Sequence, residues 1–90
     1  LSINGNLRSR IFNVTSTYLS QTQFTLKNIT LSSAFTSEFG GAVYAGDQAQ
    51  LRFDNVTFSN NISDKGGASI YANRGTILVE NSEFLNNRAV

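Results

Sequence analysis

Apolar and polar residues alternate along this chain in short stretches. Phe24 and Leu26 flank Thr25, Leu51 and Phe53 flank Arg52, and Ile77 and Val79 stand two apart in the same way. Alternation at period two, in runs rich in Phe, Val, Ile, Leu and Thr, predicts half-buried strands, and no helical periodicity competes with it. Each run is short and bounded by Asn or Gly, residues that tolerate the left-handed backbone a sharp corner needs.

The alternating runs repeat. Leu51-Arg52-Phe53-Asp54-Asn55-Val56-Thr57-Phe58-Ser59-Asn60-Asn61 recurs as Ile77-Leu78-Val79-Glu80-Asn81-Ser82-Glu83-Phe84-Leu85-Asn86-Asn87, and a weaker copy runs from Phe24 to Ala34. Gly40-Gly41-Ala42-Val43-Tyr44 recurs as Gly66-Gly67-Ala68-Ser69-Ile70-Tyr71, aligned on the glycine pair with one residue inserted before the tyrosine. The period is about 26 residues, which points to a solenoid. Units fall at 24–50, 51–76 and, in part, 77–90. Residues 1–23 fit less well. Ile11 to Thr15 resembles Phe53 to Thr57 but stands about 15 residues before the next copy, so it is either a shortened rung or a chance likeness.

A unit of two or three short strands cannot bury its apolar face alone and must stack on its neighbours. Stacking at the inter-strand spacing of about 4.8 Å sets each residue over its counterpart. The expected fold is all-β, a right-handed parallel β-helix of about three to four rungs, with the hand taken from the general rule for parallel crossovers. Two inward columns follow: Leu26, Phe53 and Val79, and Leu31, Phe58 and Phe84. Lys27, Asp54 and Glu80 form an outward column, in which Lys27 is expected to pair with Asp54 while Asp54 and Glu80 repel. Val43-Tyr44 and Ile70-Tyr71 are expected to form a further strand after the glycine corner.

Gly66-Gly67-Ala68 and the tetrapeptides Phe58 to Asn61 and Phe84 to Asn87 resemble the repeat of the chlamydial polymorphic outer membrane proteins, whose units carry GGA before an apolar residue and FxxN. The likeness covers residues 24–90. It departs at Leu31 to Ala34, which lacks the asparagine, and at Ser69, which replaces the aliphatic residue. The resemblance implies a surface-displayed passenger of the β-helix kind, used for adhesion and display, without catalysis.

Composition narrows the chemistry. Among 90 residues there is no Cys, His, Pro, Trp or Met, and the net charge is +1 with only 14% charged residues. Scattered single charges give no electrostatic case for nucleic acid, and no apolar run approaches the roughly 20 residues that span a bilayer. Disulfides and thiolate metal sites are excluded, and the commonest neutral-pH acid and base is missing. No metal site, cofactor site or catalytic residue is assigned. The rival reading is a carbohydrate-binding or polysaccharide-cleaving β-helix. Cleavage needs converging carboxylates, and of Glu38, Asp47, Asp54, Asp64, Glu80 and Glu83 only Asp54 and Glu80 stack. Tyr18, Tyr44 and Tyr71 are the candidate sugar-stacking rings, although packing at a strand corner accounts better for the last two.

Four N-x-S/T sequons begin at Asn13, Asn28, Asn55 and Asn61; all four are candidate N-glycan acceptors. Asn28 and Asn55 share a repeat column, so a rung-to-rung amide ladder is an alternative there. A ladder also suits Asn61 with Asn87, which follow inward phenylalanines. Asn13 lies outside the regular columns and is the best single glycan candidate.

Without an initiator methionine the chain reads as a processed product or a segment of something longer, and neither terminus reads as a polar cap. The expected function is an extracellular or cell-surface structural β-helix unit of a fibre or adhesin. Its expected partners are a second copy stacked head to tail or covalent neighbouring rungs, and N-linked glycans.

Overall fold

The computed structural model describes residues 1–17 and 19–89. Among them there is no helix. Eleven strands follow in order: β1 (Ser2–Asn4), β2 (Phe12–Val14), β3 (Gln23–Ser32), β4 (Phe35–Thr36), β5 (Val43–Ala45), β6 (Gln50–Ser59), β7 (Ile62–Ser63), β8 (Ile70–Ala72), β9 (Thr76–Glu80), β10 (Glu83–Leu85) and β11 (Arg88–Ala89). Every pairing is parallel, and the strands form three sheets: β1-β3-β6-β10 with β9 also on β6, β2-β5-β8, and β4-β7-β11. The chain is a parallel β-solenoid of about three turns. Its shortest dimension, 16 Å, is the height that four strands stacked about 4.8 Å apart produce.

Both inward columns form as expected: Leu26 pairs with Phe53 and Phe53 with Val79, and Leu31 pairs with Phe58 and Phe58 with Phe84. Leu31, Val43, Phe53, Val56 and Phe58 are fully buried. Each contributes about 1.5–3 kcal/mol by leaving water. The rings of Phe58 and Phe84 lie parallel at 4.8 Å, and Phe53 meets Phe58 edge-on at 5.2 Å.

The long strands bend where asparagine enters the left-handed region. Asn28 and Asn55 have φ of +56° and Asn81 has +51°. At that bend the alternation resets: Phe24 and Leu26 point inward before it, Ile29 and Leu31 after it, and Lys27 and Asn28 both face solvent. Strict alternation from Leu51 and Phe53 would carry Asn55 inward; the left-handed residue turns it out. A second left-handed column, Ser33, Asn60 and Asn86, makes the next corner.

Two sequence alignments are corrected by the register. First, Tyr44 pairs with Tyr71 and Val43 with Ile70, while the Gly40 N–H donates to Gly66 O and the Gly41 N–H to Gly67 O. Gly40 (φ +72°) therefore lies over Gly67 (φ +61°), not over Gly66, and Gly41 lies beside Ala68. No residue is inserted before the tyrosine. What must stack is the left-handed corner, and only the glycine that turns it is aligned. Second, Phe12–Val14 pairs with Val43–Ala45, so the likeness of Ile11 to Thr15 to Phe53 to Thr57 is a chance one. The described residues before β3 form an irregular rung: Ile3 enters the column of Leu31, and Phe12 packs on Phe24 at 5.2 Å.

From β3 onward the spacing between turns is uniform within each step. Residues 23–45 pair 27 positions on with 50–72, and residues 50–63 pair 26 positions on with 76–89. The one-residue difference falls at a single corner, residues 46–49 in one turn against 73–75 in the next.

Candidate functional site

The structure offers three regions where function can reside: the asparagine columns, the outer flank of β5 and β8, and the two end faces.

Asn61 follows β6 and is 0% exposed. Its Oδ1 accepts the Ala34 N–H at 3.0 Å, and its Nδ2 donates to Leu31 O at 3.3 Å and to Asn87 Oδ1 at 3.0 Å. Asn87 Oδ1 also accepts the Asn61 N–H at 3.0 Å, and Asn87 Nδ2 donates to Phe58 O at 2.9 Å. The ladder closes at Ala34, whose N–H takes the Asn61 amide oxygen just as the Asn61 N–H takes that of Asn87. The first copy of the repeat thus ends the column where it lacks the asparagine.

Asn28 and Asn55 build a second ladder on the outside. Both are exposed, and Asn55 Nδ2 donates to Asn28 Oδ1 at 2.8 Å. Asn81 leaves this ladder and donates instead to Asp54 Oδ1 at 3.3 Å. Gln21–Gln48 and Gln23–Gln50 extend the same pattern, at 2.7 and 3.3 Å. Asn13 stands apart: it is exposed on β2, its register partner is Tyr44, and its side chain makes no hydrogen bond among the described residues.

On the flank of β5 and β8, Tyr44 and Tyr71 stack at 5.6 Å and Phe39 stacks on Tyr71 at 4.6 Å. Arg10 lies 4.7 Å over the Tyr44 ring and also donates to Phe39 O (2.7 Å) and Gly40 O (3.2 Å). The ring faces of Tyr44 and Tyr71 are thus occupied by protein neighbours, which fits packing better than an open sugar platform. Tyr18 lies outside the described residues. Sequence reasoning missed Phe39 and Arg10 because both sit in loops without periodicity, and the alignment on the glycine pairs set Gly66 against Gly40 rather than against Phe39.

The carboxylates do not converge. Asp54 and Glu80 are register neighbours, but Glu80 pairs with Arg52 at 3.2 Å and Asp54 accepts from Asn81. The expected Lys27–Asp54 ion pair does not form: Lys27 makes no salt bridge among the described residues, Asp54 accepts from Asn81 instead, and Arg52 reaches diagonally across the face to Glu80. The remaining pairs are Lys65–Glu38 at 2.8 Å and Arg74–Asp47 at 2.9 Å. The Lys65 ammonium, by hydrogen bond and then by charge, holds the Glu38 carboxyl below its ordinary 4.5. A shallow trough of about 540 Å³ outside β3, β6 and β9, lined by Gln23, Thr25, Gln50, Leu51, Arg52, Thr76 and Leu78, offers neutral amides and hydroxyls and one guanidinium beside two leucines.

The end faces are open and stepped. On one side, β9 and β10 expose Ile77 (43%), Val79 (37%) and Phe84 (47%), whose column partners one rung inward are buried. On the other, β1 covers only Thr30–Ser32 of β3, leaving Phe24 and Leu26 half-buried.

These features define a parallel β-solenoid and no more particular class. Compared with protein-family models, with curated proteins and with solved structures, the chain finds no match.

Proposed function

We propose that this chain is a structural unit of an extracellular or cell-surface β-solenoid, a fibre or adhesin, in which each end face receives a further parallel rung from a second copy or from the same polypeptide. The supporting observation is the end presented by β9 and β10. Its inward residues stand 37–47% exposed, beside strand edges whose N–H and C=O groups meet no further strand among the described residues. An exposed flat edge of this kind is a template for strand addition, and a head-to-tail contact of this kind does not close on itself, so it propagates. The parallel Phe84 ring extends the Phe58 stack and offers its outer face to the Ile3 end of a following copy. The extracellular setting is drawn from the likeness of the GGA and FxxN motifs and from the sequons.

The test is the size of the purified chain, measured by light scattering and electron microscopy over a concentration series, beside Val79→Lys. The expected result is end-on assembly that grows with concentration and is suppressed by the charge, with circular dichroism unchanged. Discrete single-chain particles at every concentration would overturn the self-assembling form.

A further inference from the structure

The four sequons are equivalent as sequence and unequal as structure. N-glycosylation joins the asparagine Nδ2 to the anomeric carbon of a lipid-pyrophosphate-linked oligosaccharide. The C–O bond to pyrophosphate breaks with its electron pair on the leaving group, and one amide proton passes to the transferase. The acceptor therefore needs a free amide nitrogen and a reachable Ser/Thr hydroxyl two residues on.

At Asn61 both are withdrawn. The amide is fully buried with its nitrogen and oxygen engaged. Ser63 is equally buried, its hydroxyl donating to Glu38 O at 2.6 Å while accepting the Gly66 N–H at 3.2 Å. At Asn13 both are free: Asn13 and Thr15 are exposed, and neither side chain makes a hydrogen bond among the described residues. Asn28 and Asn55 fall between. The bond joining them uses the Asn28 oxygen and leaves its nitrogen free, but engages the Asn55 nitrogen.

We propose that Asn13 is the N-glycan acceptor of this chain and that Asn61 is closed to modification, its sequon being a by-product of the internal ladder. Asn13 stands in the outward column beside Tyr44, on the edge strand of its sheet, so a glycan there projects from the side of the solenoid at its first rung. The inference shares with the proposed function its extracellular setting and is independent of end-on stacking.

The experiment is expression of the whole chain behind a secretion leader in a eukaryotic host, isolation of the folded fraction, and enzymatic deglycosylation in ¹⁸O-water with peptide mapping. Expected is ¹⁸O-aspartate at position 13, with occupancy at 61 below about a tenth of that value, since ladder bonds must first break. Thr15→Ala is expected to remove the Asn13 glycan with circular dichroism unchanged. An unlabelled Asn13, or a labelled Asn61 in folded material, overturns the proposal. Single-chain particles carrying a glycan on Asn13 would refute stacking and leave this inference standing; assembled particles lacking it would do the reverse.

Discussion

Replacing Asn61 by alanine removes the side chain that ties three successive turns together. The Ala34 N–H loses its acceptor at 3.0 Å and is left buried without one, a loss that costs about 1–3 kcal/mol. The bonds from Nδ2 to Leu31 O and Asn87 Oδ1 also go, and a void opens where the fully buried amide stood. Together these amount to about 3 kcal/mol, a large share of the 5–15 kcal/mol that holds a domain folded. For a domain of this size the melting temperature should fall by about 12–24 °C. The measurement is thermal and urea unfolding followed by far-ultraviolet circular dichroism, with Asn87→Ala as comparison. Asn87 sits on the open end, where water can replace its partners, so its loss should cost about 1 kcal/mol. A loss below about 0.5 kcal/mol at Asn61, or equal losses at the two sites, would refute the ladder as the closure of the core.

Four further outcomes are expected. Asn55→Ala should cost about 1–2 kcal/mol because alanine must hold φ at +56°, whereas Asn55→Gly should recover most of it; urea unfolding of the pair checks this. Gly41→Ala should abolish or severely weaken folding, since its Cβ would lie 2.1 Å from Ala68 O and 2.9 Å from Ile62 O, both backbone atoms; soluble yield and dichroism report it. Ser69→Ala should be neutral or stabilise by up to about 1 kcal/mol, because the buried Ser69 Oγ has no partner among the described residues and an unpaired buried hydroxyl is a net cost; the same unfolding curves decide it. The Glu38 carboxyl should titrate below 4.5 and return towards it in Lys65→Ala. Because the folded value is lowered, whatever the pair contributes is present above the ordinary value and lost as pH falls through the lowered one; an NMR titration reads both.

The columns were legible because period-two alternation and a near-constant spacing are properties of order along the chain. Leu26, Phe53 and Val79 announce each other without knowledge of the corner between them. The two-residue strands β4, β7 and β11 carry no period and were invisible. The glycine alignment failed because identity drew Gly40-Gly41 to Gly66-Gly67, whereas the backbone matches left-handed Gly40 with left-handed Gly67. Ion pairing on the outer face was misjudged for a related reason: register fixes which Cα atoms are adjacent, but side-chain reach decides that Arg52 takes Glu80. The burial that separates Asn61 from Asn13 is a property of the closed turn, and neither sequon encodes it locally.

The single corner that absorbs the step from 27 to 26 residues has a consequence for how such a chain changes through descent. A one-residue loss inside a strand would throw the side chains that follow, up to the next bend, onto the wrong face, while the same loss between Ala45 and Gln50 leaves each column intact. Mutation should thereby be filtered by place: gains and losses are tolerated at the corners, where the chain can loop out, and a whole turn can be added or lost with every column kept. Homologous chains should therefore differ in corner length and in the number of complete circuits, and rarely within a strand.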